Sequence, residues 1–399
     1  MSQALVVDVP HFSQTERDQR WQKVREAMRR EKIDAIFVPP NTGFIDQFQA
    51  NVRYLTGIGG NSSLAGAIFP LEGDVTALTS PDVDTEFWMQ RQSWITDVRP
   101  GGSGWGYADA TVDRLRELHL EKGRIGVTGL SGNTRYPEGI TSLGIYNRLR
   151  ELMPDADIVN ANMLMEQVRF VKSEEEIAFI SKANELVYDA IDVVIREAKP
   201  GVPENVVYAR MIASMVEGGG ELPTMILWSA GGPQPPSNQY MPSRRPLCTG
   251  DIITMECEAR WGGYVGQNTQ QFFIGKLPDD YKRMFALQQE ATAKCYENIH
   301  PGKTLGDIAD IASSFTNKEF QCKLIMHCRG LGDDSPMCIY TPRDATMRDW
   351  KLEENSTFIV KPVIQTPDNS KRVYWGDMIA ATATGARRLG KRPPSIIEI

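Results

Sequence analysis

Two glutamates, a lysine and a histidine are the residues of this chain best suited to moving protons. In the triplet Glu256-Cys257-Glu258 the carboxylates stand two residues apart. On a strand that spacing puts both on one face and turns Cys257 to the other, where it reads as a core thiol. A lysine against such a pair would keep the cluster from being a net anion and fix its geometry. If desolvated, it would have a lowered pKa and could act as a base. Imidazole is the side chain that both takes and gives a proton near neutral pH. The chain has four histidines, His11, His119, His300 and His327, which limits the possible schemes. The six cysteines lie between Cys248 and Cys338 and form no CxxC pair. Neither a zinc ribbon nor a thioredoxin-type motif is therefore indicated, and free thiols are expected. Cys328 adjoins His327, but adjacent side chains rarely face each other, so a Cys-His nucleophile is not expected.

The elements that must position these groups fall into two grammars. Up to about residue 160, strands alternate with helices, the pattern of an α/β domain. Helices are expected over 13–32, 110–122 and 142–152. Strands are expected in AIFVPP (35–40), NVRYLTGI (51–58), LAGAIFPLEGDVTALTS (64–80) and RIGVTG (124–129). Then Ser173 with Glu176 forms a capping-box signature. It opens a helix with apolar residues at helical spacing, closed by Pro200-Gly201. A second helix covers about 203–216. Strands follow over 225–274, then helices over 280–298 and 305–318, then strands again. That order suits an internally duplicated α+β half. The 399 residues can supply two cores. A net charge of -7 with scattered Lys and Arg argues against a nucleic-acid partner. No apolar run reaches the roughly 18 residues of a membrane span. The first residues lack the regions of a signal peptide, so no membrane association and a cytoplasmic location are expected.

Six segments resemble, in order and spacing, the pita-bread superfamily of creatinase, prolidase and aminopeptidase P. They are VRFVKSEEEIAFISKA, PSRRPLCTGDIITMECE, GGYVGQNTQQFFIG, HCRGLGDDSP, FIVKPVI and VYWGDMIAATATGARRL. The resemblance covers nearly the whole chain. It implies an α+β fold: a creatinase-like α/β N-terminal domain over 1–162 and a pita-bread catalytic domain over 163–399, paired as a homodimer. Its metal-dependent members hold two divalent ions with two Asp, one His and two Glu. Carried over, those positions fall at Glu256, Gln267, His327, Lys361 and Gly376. An amide, an ammonium and a bare glycine replace three of the five ligands, so no metal and no other cofactor is expected.

The resemblance also places His327 in the family's histidine motif, which makes it the expected acid or base. Lys361 is expected as its partner or oxyanion stabiliser, with Glu256 and Glu258 orienting the two. Gln267, Asn238, Gln239, Tyr240, Tyr264, Arg329 and Asp334 are expected to contact substrate. Aromatic residues crowd the same segments (Trp228, Tyr240, Trp261, Tyr264, Tyr340, Tyr374, Trp375), and two or three of them facing the site would suit a flat substrate. The Glu-Cys-Glu triplet and GLGDDSP are similar to segments of the dimethylsulfoniopropionate lyases of this superfamily. Creatinase is the metal-free precedent, a C–N hydrolase, although it keeps the glutamate that Lys361 replaces. Proton transfer without activated water favours a metal-independent lyase acting on a small, non-peptide C–C or C–heteroatom bond. Creatinase-like C–N hydrolysis is the alternative, and a non-catalytic ligand-binding protein is the third reading.

Overall fold

The computed structural model describes residues 10–40, 50–60, 64–80, 85–101, 106–132, 135–232, 241–342 and 345–399. The chain divides into two compact units. One runs to Arg169 and takes in Leu331–Asp333; the other comprises Phe170–Gly330 and Asp334–Ile399.

The first unit contains α1 (Gln14–Glu31), β1 (Ala35–Val38), α2 (Ala50–Thr56), β2 (Gly66–Pro70), β3 (Thr76–Thr79), α3 (Thr85–Met89), β4 (Asp97–Pro100), α4 (Gly106–Glu117), β5 (Arg124–Val127), α5 (Leu143–Leu152), β6 (Asp157–Asn160) and α6 (Asn162–Val168). Its sheet has the order β4-β3-β2-β1-β5-β6. The Ser13 hydroxyl caps α1 by accepting from the Glu16 N–H, and Lys32 ends it in the left-handed region at φ 56°. The expected strand at NVRYLTGI is instead helix α2 with every residue buried. Burial on all sides removes the alternation that distinguishes a strand, and tertiary packing overrides β propensity.

The second unit contains α7 (Glu174–Glu197), α8 (Glu204–Glu217), β7 (Ile226–Gly231), β8 (Ile252–Trp261), β9 (Tyr264–Phe273), α9 (Asp279–Asn298), α10 (Leu305–Ser313), β10 (Gln321–Cys328), β11 (Met337–Pro342), α11 (Ala345–Arg348), β12 (Thr357–Gln365), β13 (Arg372–Tyr374), β14 (Gly376–Thr382), β15 (Gly385–Arg388) and β16 (Ile397–Glu398). One sheet runs β11-β10-β12-β14-β9-β8-β7, with β13 paired to β12, β15 to β14 and β16 to β9. The capping box opening α7 is formed in both directions between Ser173 and Glu176. Helix α10 stops at Ser313 rather than near Lys318, because the Asn317 side chain accepts from the Glu319 and Phe320 N–H groups and turns the chain.

Alternation along the strands assigns the two faces. On one face, Val187, Ile191 and Val194 of α7 and Met211 of α8 bury Ile253, Met255, Cys257 and Phe272. Met284 and Ala291 of α9 and Ile308 of α10 likewise cover Leu324, Met326, Val360 and Ile364. Two helices over each half of the sheet accord with the expected duplicated arrangement. The other face carries the polar residues described next. Among the described residues, no helix is long and apolar enough to cross a membrane.

Candidate active site

Strands β8 and β9 are a hairpin whose register sets Glu256 beside Thr269 and Glu258 beside Gln267. All four side chains therefore lie on one face. Strand β14 pairs with β9 through Gly376 and Thr269. Strand β12 joins β14 to β10, placing Lys361 beside Ile325 and Ile359 beside His327. Residues distant in sequence thus meet across adjacent strands. Glu256, Glu258, Gln267, His327, Arg329 and Lys361 are all at most 4% exposed.

Buried charges must be paired, and here each carboxylate has its own cation. Lys361 Nζ donates to Glu256 Oε1 at 2.8 Å. Arg329 Nη2 forms a short contact to Glu258 Oε1. The Gln267 amide bridges the two pairs: its Nε2 donates to Glu256 Oε1 at 2.5 Å, and its Oε1 accepts from Arg329 Nε at 2.8 Å. The Tyr374 hydroxyl donates to Glu256 Oε2 at 2.5 Å. Burial by itself would raise the Glu256 pKa. The Lys361 charge and the hydrogen bonds from Lys361 and Tyr374 outweigh it and hold the group at about 2. Burial and the Glu256 charge push the Tyr374 phenol well above its usual value, so it stays a donor.

The metal ligands of the superfamily do not fit this arrangement. Glu256 already accepts from three donors. An ammonium stands where a divalent ion would need an anion, and at ~4 Å one positive charge would repel another by about 4 kcal/mol at an effective dielectric of 20. A Cβ on Gly376 would fall 2.0 Å from Lys361 Cγ, so a side chain there and this lysine exclude each other. Among the described residues no group of three or more His, Cys, Asp or Glu is placed to hold a metal ion.

Of the expected site residues, the structure brings together Glu256, Glu258, Gln267, His327, Arg329 and Lys361. Arg329 serves as the counter-ion of Glu258, a partnership the sequence reading gave to Lys361 as well. Asp334 is buried between β10 and β11. Tyr264 lies on the opposite face: its hydroxyl donates to Glu176 Oε1 at 2.6 Å and its ring meets Phe179, so it belongs to the α7 packing rather than to a substrate surface. Asn238, Gln239 and Tyr240 lie outside the described residues. Most of the aromatic crowd is packing. Trp228 is fully buried and donates to Glu204 at 2.9 Å, and Trp261 lies against Gly219 and Lys182. Tyr374 is the member that reaches Glu256. Sequence reasoning missed that contact, although Tyr374 stands two residues from Gly376. It also missed Thr269, the register neighbour of Glu256. Its fully buried hydroxyl has no hydrogen-bond partner among the described residues, and the alternation Gln267-Thr269-Gln271 was the available signal.

Residues 178–383 match the profile of Metallopeptidase family M24, and residues 20–171 that of the Creatinase/Prolidase N-terminal domain. The chain is 24% identical over 388 residues to an Xaa-Pro dipeptidase of Pyrococcus horikoshii, covering 95% of this chain and 99% of the relative. It is 22% identical over 373 residues to an Xaa-Pro dipeptidase of Pyrococcus furiosus, covering 94% and 98%. Among solved structures, the X-Pro aminopeptidase of Thermotoga maritima MSB8 superposes with a TM-score of 0.76 at 19% identity, covering 95% of this chain and 99% of that one, a likeness that shows the fold. These relatives carry the names of peptidases, enzymes that hydrolyse C–N bonds. That finding overturns the expectation of a lyase and favours the hydrolytic alternative. With 206 of its 399 residues in the first profile and most of the remainder in the second, the chain belongs to the M24 family, with a creatinase/prolidase N-terminal domain ahead of its pita-bread domain.

Proposed function

We propose that this protein hydrolyses a C–N bond of a small molecule without a metal ion, His327 carrying the proton and Lys361 supplying the positive charge. The observation that supports this most is the saturation of Glu256 by Lys361, Gln267 and Tyr374. A carboxylate held at about 2 is a fixed anion that positions the lysine rather than a base. Glu258 is tied to Arg329 in the same way. His327 is then the group of this face able to exchange a proton near neutrality. In the proposed sequence, neutral His327 takes a proton from water as the oxygen bonds to the substrate carbon. The carbonyl electron pair moves to oxygen, facing the Lys361 ammonium. The C–N bond breaks as the nitrogen takes the proton back from His327, and acid and amine leave. A homodimer in the cytoplasm, with domains at 1–162 and 163–399, belongs to the same reading.

The test is a panel of N-acyl amines, ureides, guanidino acids and Xaa-Pro dipeptides. It is assayed with chelator-treated protein, following amine release and incorporation of oxygen from labelled water. Turnover is expected to survive chelation and to fall about 10²–10⁴-fold in His327→Asn, the usual worth of a positioned proton-transfer group. Activity lost to chelator and restored by a divalent ion, or a product without solvent oxygen, overturns the reading.

A further inference from the structure

Strand β10 sends His327 to the site and the next residue, Cys328, to the other face. There Cys328 is fully buried, and its sulfur meets a lysine. Lys172 Nζ lies 3.1 Å from Cys328 Sγ and donates to the Phe170 carbonyl oxygen at 2.8 Å. Lys172 is 3% exposed, and among the described residues it meets no carboxylate. That is an uncommon setting for a lysine, because burying an ammonium without an anion is costly. The backbone fixes both ends of the contact. The Lys172 N–H donates to the Asn355 carbonyl at 3.0 Å, and the Cys328 N–H donates to the Pro336 carbonyl at 3.1 Å. Gly330 leaves room for the lysine stem, since a Cβ there would fall 3.0 Å from Lys172 Cε.

The other thiols have different surroundings. Cys338 Sγ donates to the Leu324 carbonyl oxygen at 3.6 Å. Burial pushes Cys322 and Cys338 up to about 12, and it raises Cys257 and Cys295 as well. Thiols held in that state are poor nucleophiles. Cys248 is exposed. Of the six, Cys328 is the one whose sulfur contacts an amine.

We propose that Lys172 and Cys328 form an oxidant-sensitive site that hydrogen peroxide closes to a covalent sulfenamide. The Cys328 sulfur attacks one peroxide oxygen and the O–O bond breaks, giving a sulfenic acid and water. The Lys172 nitrogen then bonds to the sulfur and displaces its hydroxyl, which leaves as water with a proton from the nitrogen. Sulfenic acids condense with a nitrogen within reach in this way. One thiol, one amine and one peroxide thus give one S–N bond and two waters. Sulfur gives up two electrons and the peroxide takes them. A proton passed between sulfur and nitrogen beforehand leaves this sum unchanged. The oxidant is about as small as water. Val171 and Ser173, on either side of Lys172, are half-buried, so the pair lies close under the surface, where local opening admits a small molecule. The bond ties β10, the strand that carries His327, to the segment leading into α7.

Peptide mapping of the folded protein after peroxide treatment tests this without an assay of turnover. After denaturation and alkylation, mass spectrometry is expected to find the Lys172 and Cys328 peptides joined and lighter than their sum by two hydrogens. Dithiothreitol should part them and return a free thiol. The same treatment in urea, which separates the two residues, should yield none of the joined species. Lys172→Met should lose the joined species and leave Cys328 as a sulfenic acid that a cyclic diketone traps, with circular dichroism to confirm folding; the wild-type arms decide by themselves. Cys328 recovered as a free thiol after an exposure that fully oxidises Cys248 overturns the proposal. So does a Cys328 that is oxidised in the folded wild type while Lys172 stays separate.

Discussion

Lys361 and Gly376 are two halves of one substitution. The lysine occupies the space that any side chain at 376 would need, since a Cβ there falls 2.0 Å from Lys361 Cγ. Gly376→Ala is therefore expected to destabilise the wild type by about 1–3 kcal/mol, the range for overpacking. In a Lys361→Ala background the same change should cost less but not vanish, because the Val360 carbonyl oxygen, 2.8 Å from that Cβ, remains. Urea unfolding of the four proteins gives the coupling, and additive effects would show that the two positions do not compete for space. The same lysine sets the acid limb of stability. Because the folded pKa of Glu256 is depressed to about 2, its contribution is full above the unfolded carboxylate value of 4.5 and is lost as pH falls toward 2. Lys361→Met removes the largest depressing influence, so Glu256 in that variant protonates at higher pH. The stability gap between wild type and Lys361→Met should then narrow as pH is lowered from about 4.5 to about 2, followed by thermal unfolding. A constant gap across that window would separate Lys361 from the Glu256 titration.

Elements were legible where a local rule decides them and illegible where packing does. The Ser173–Glu176 box could be read from two letters because both hydrogen bonds are made within one turn. The alternation of β8 and β9 foretold that Glu256 and Glu258 share a face and Cys257 the other, and the thiol indeed lies in the core. Helix α2 could not be read, because all of its residues are buried and show no periodicity. Nor could the Arg329–Glu258 pair or the Tyr374–Glu256 bond, since they join residues 71 and 118 apart along the chain. What lets these strands serve the site is the close seat of α7 on their other face. A Cβ on Gly266 would lie 2.2 Å from the Asn184 backbone nitrogen. Gly266→Ala is expected to push helix and strand apart and lower stability by about 1–3 kcal/mol. It should also reduce turnover without touching a site residue, because Gln267 is the next residue on β9. Unaltered unfolding and kinetics would mean that the helix does not set the strand's position.

At the scale of the molecule, the question is whether this member of a metallopeptidase family responds to metal at all. Family membership rests on sequence over both domains, whereas metal binding rests on five side chains, and at three of their positions this chain has Gln267, Lys361 and Gly376. A ligand that binds only the folded state stabilises it by RT ln(1 + [L]/Kd), about 2.7 kcal/mol at a hundredfold excess over Kd. In a domain of 150–250 residues each kcal/mol shifts Tm by roughly 2–4 °C. A working metal site would therefore raise Tm by several degrees, far above the resolution of calorimetry. The expected outcome is that Tm in excess Mn²⁺, Co²⁺ or Zn²⁺ equals Tm in chelator, and that elemental analysis of the purified protein finds no stoichiometric divalent ion. Lys361→Glu alone should behave the same way, because Gln267 still lacks a charge and Gly376 still lacks a side chain. A metal-dependent rise in the wild type would show that the Lys361–Glu256 pair opens to admit an ion, and the charge-replacement reading of Lys361 would fall with it.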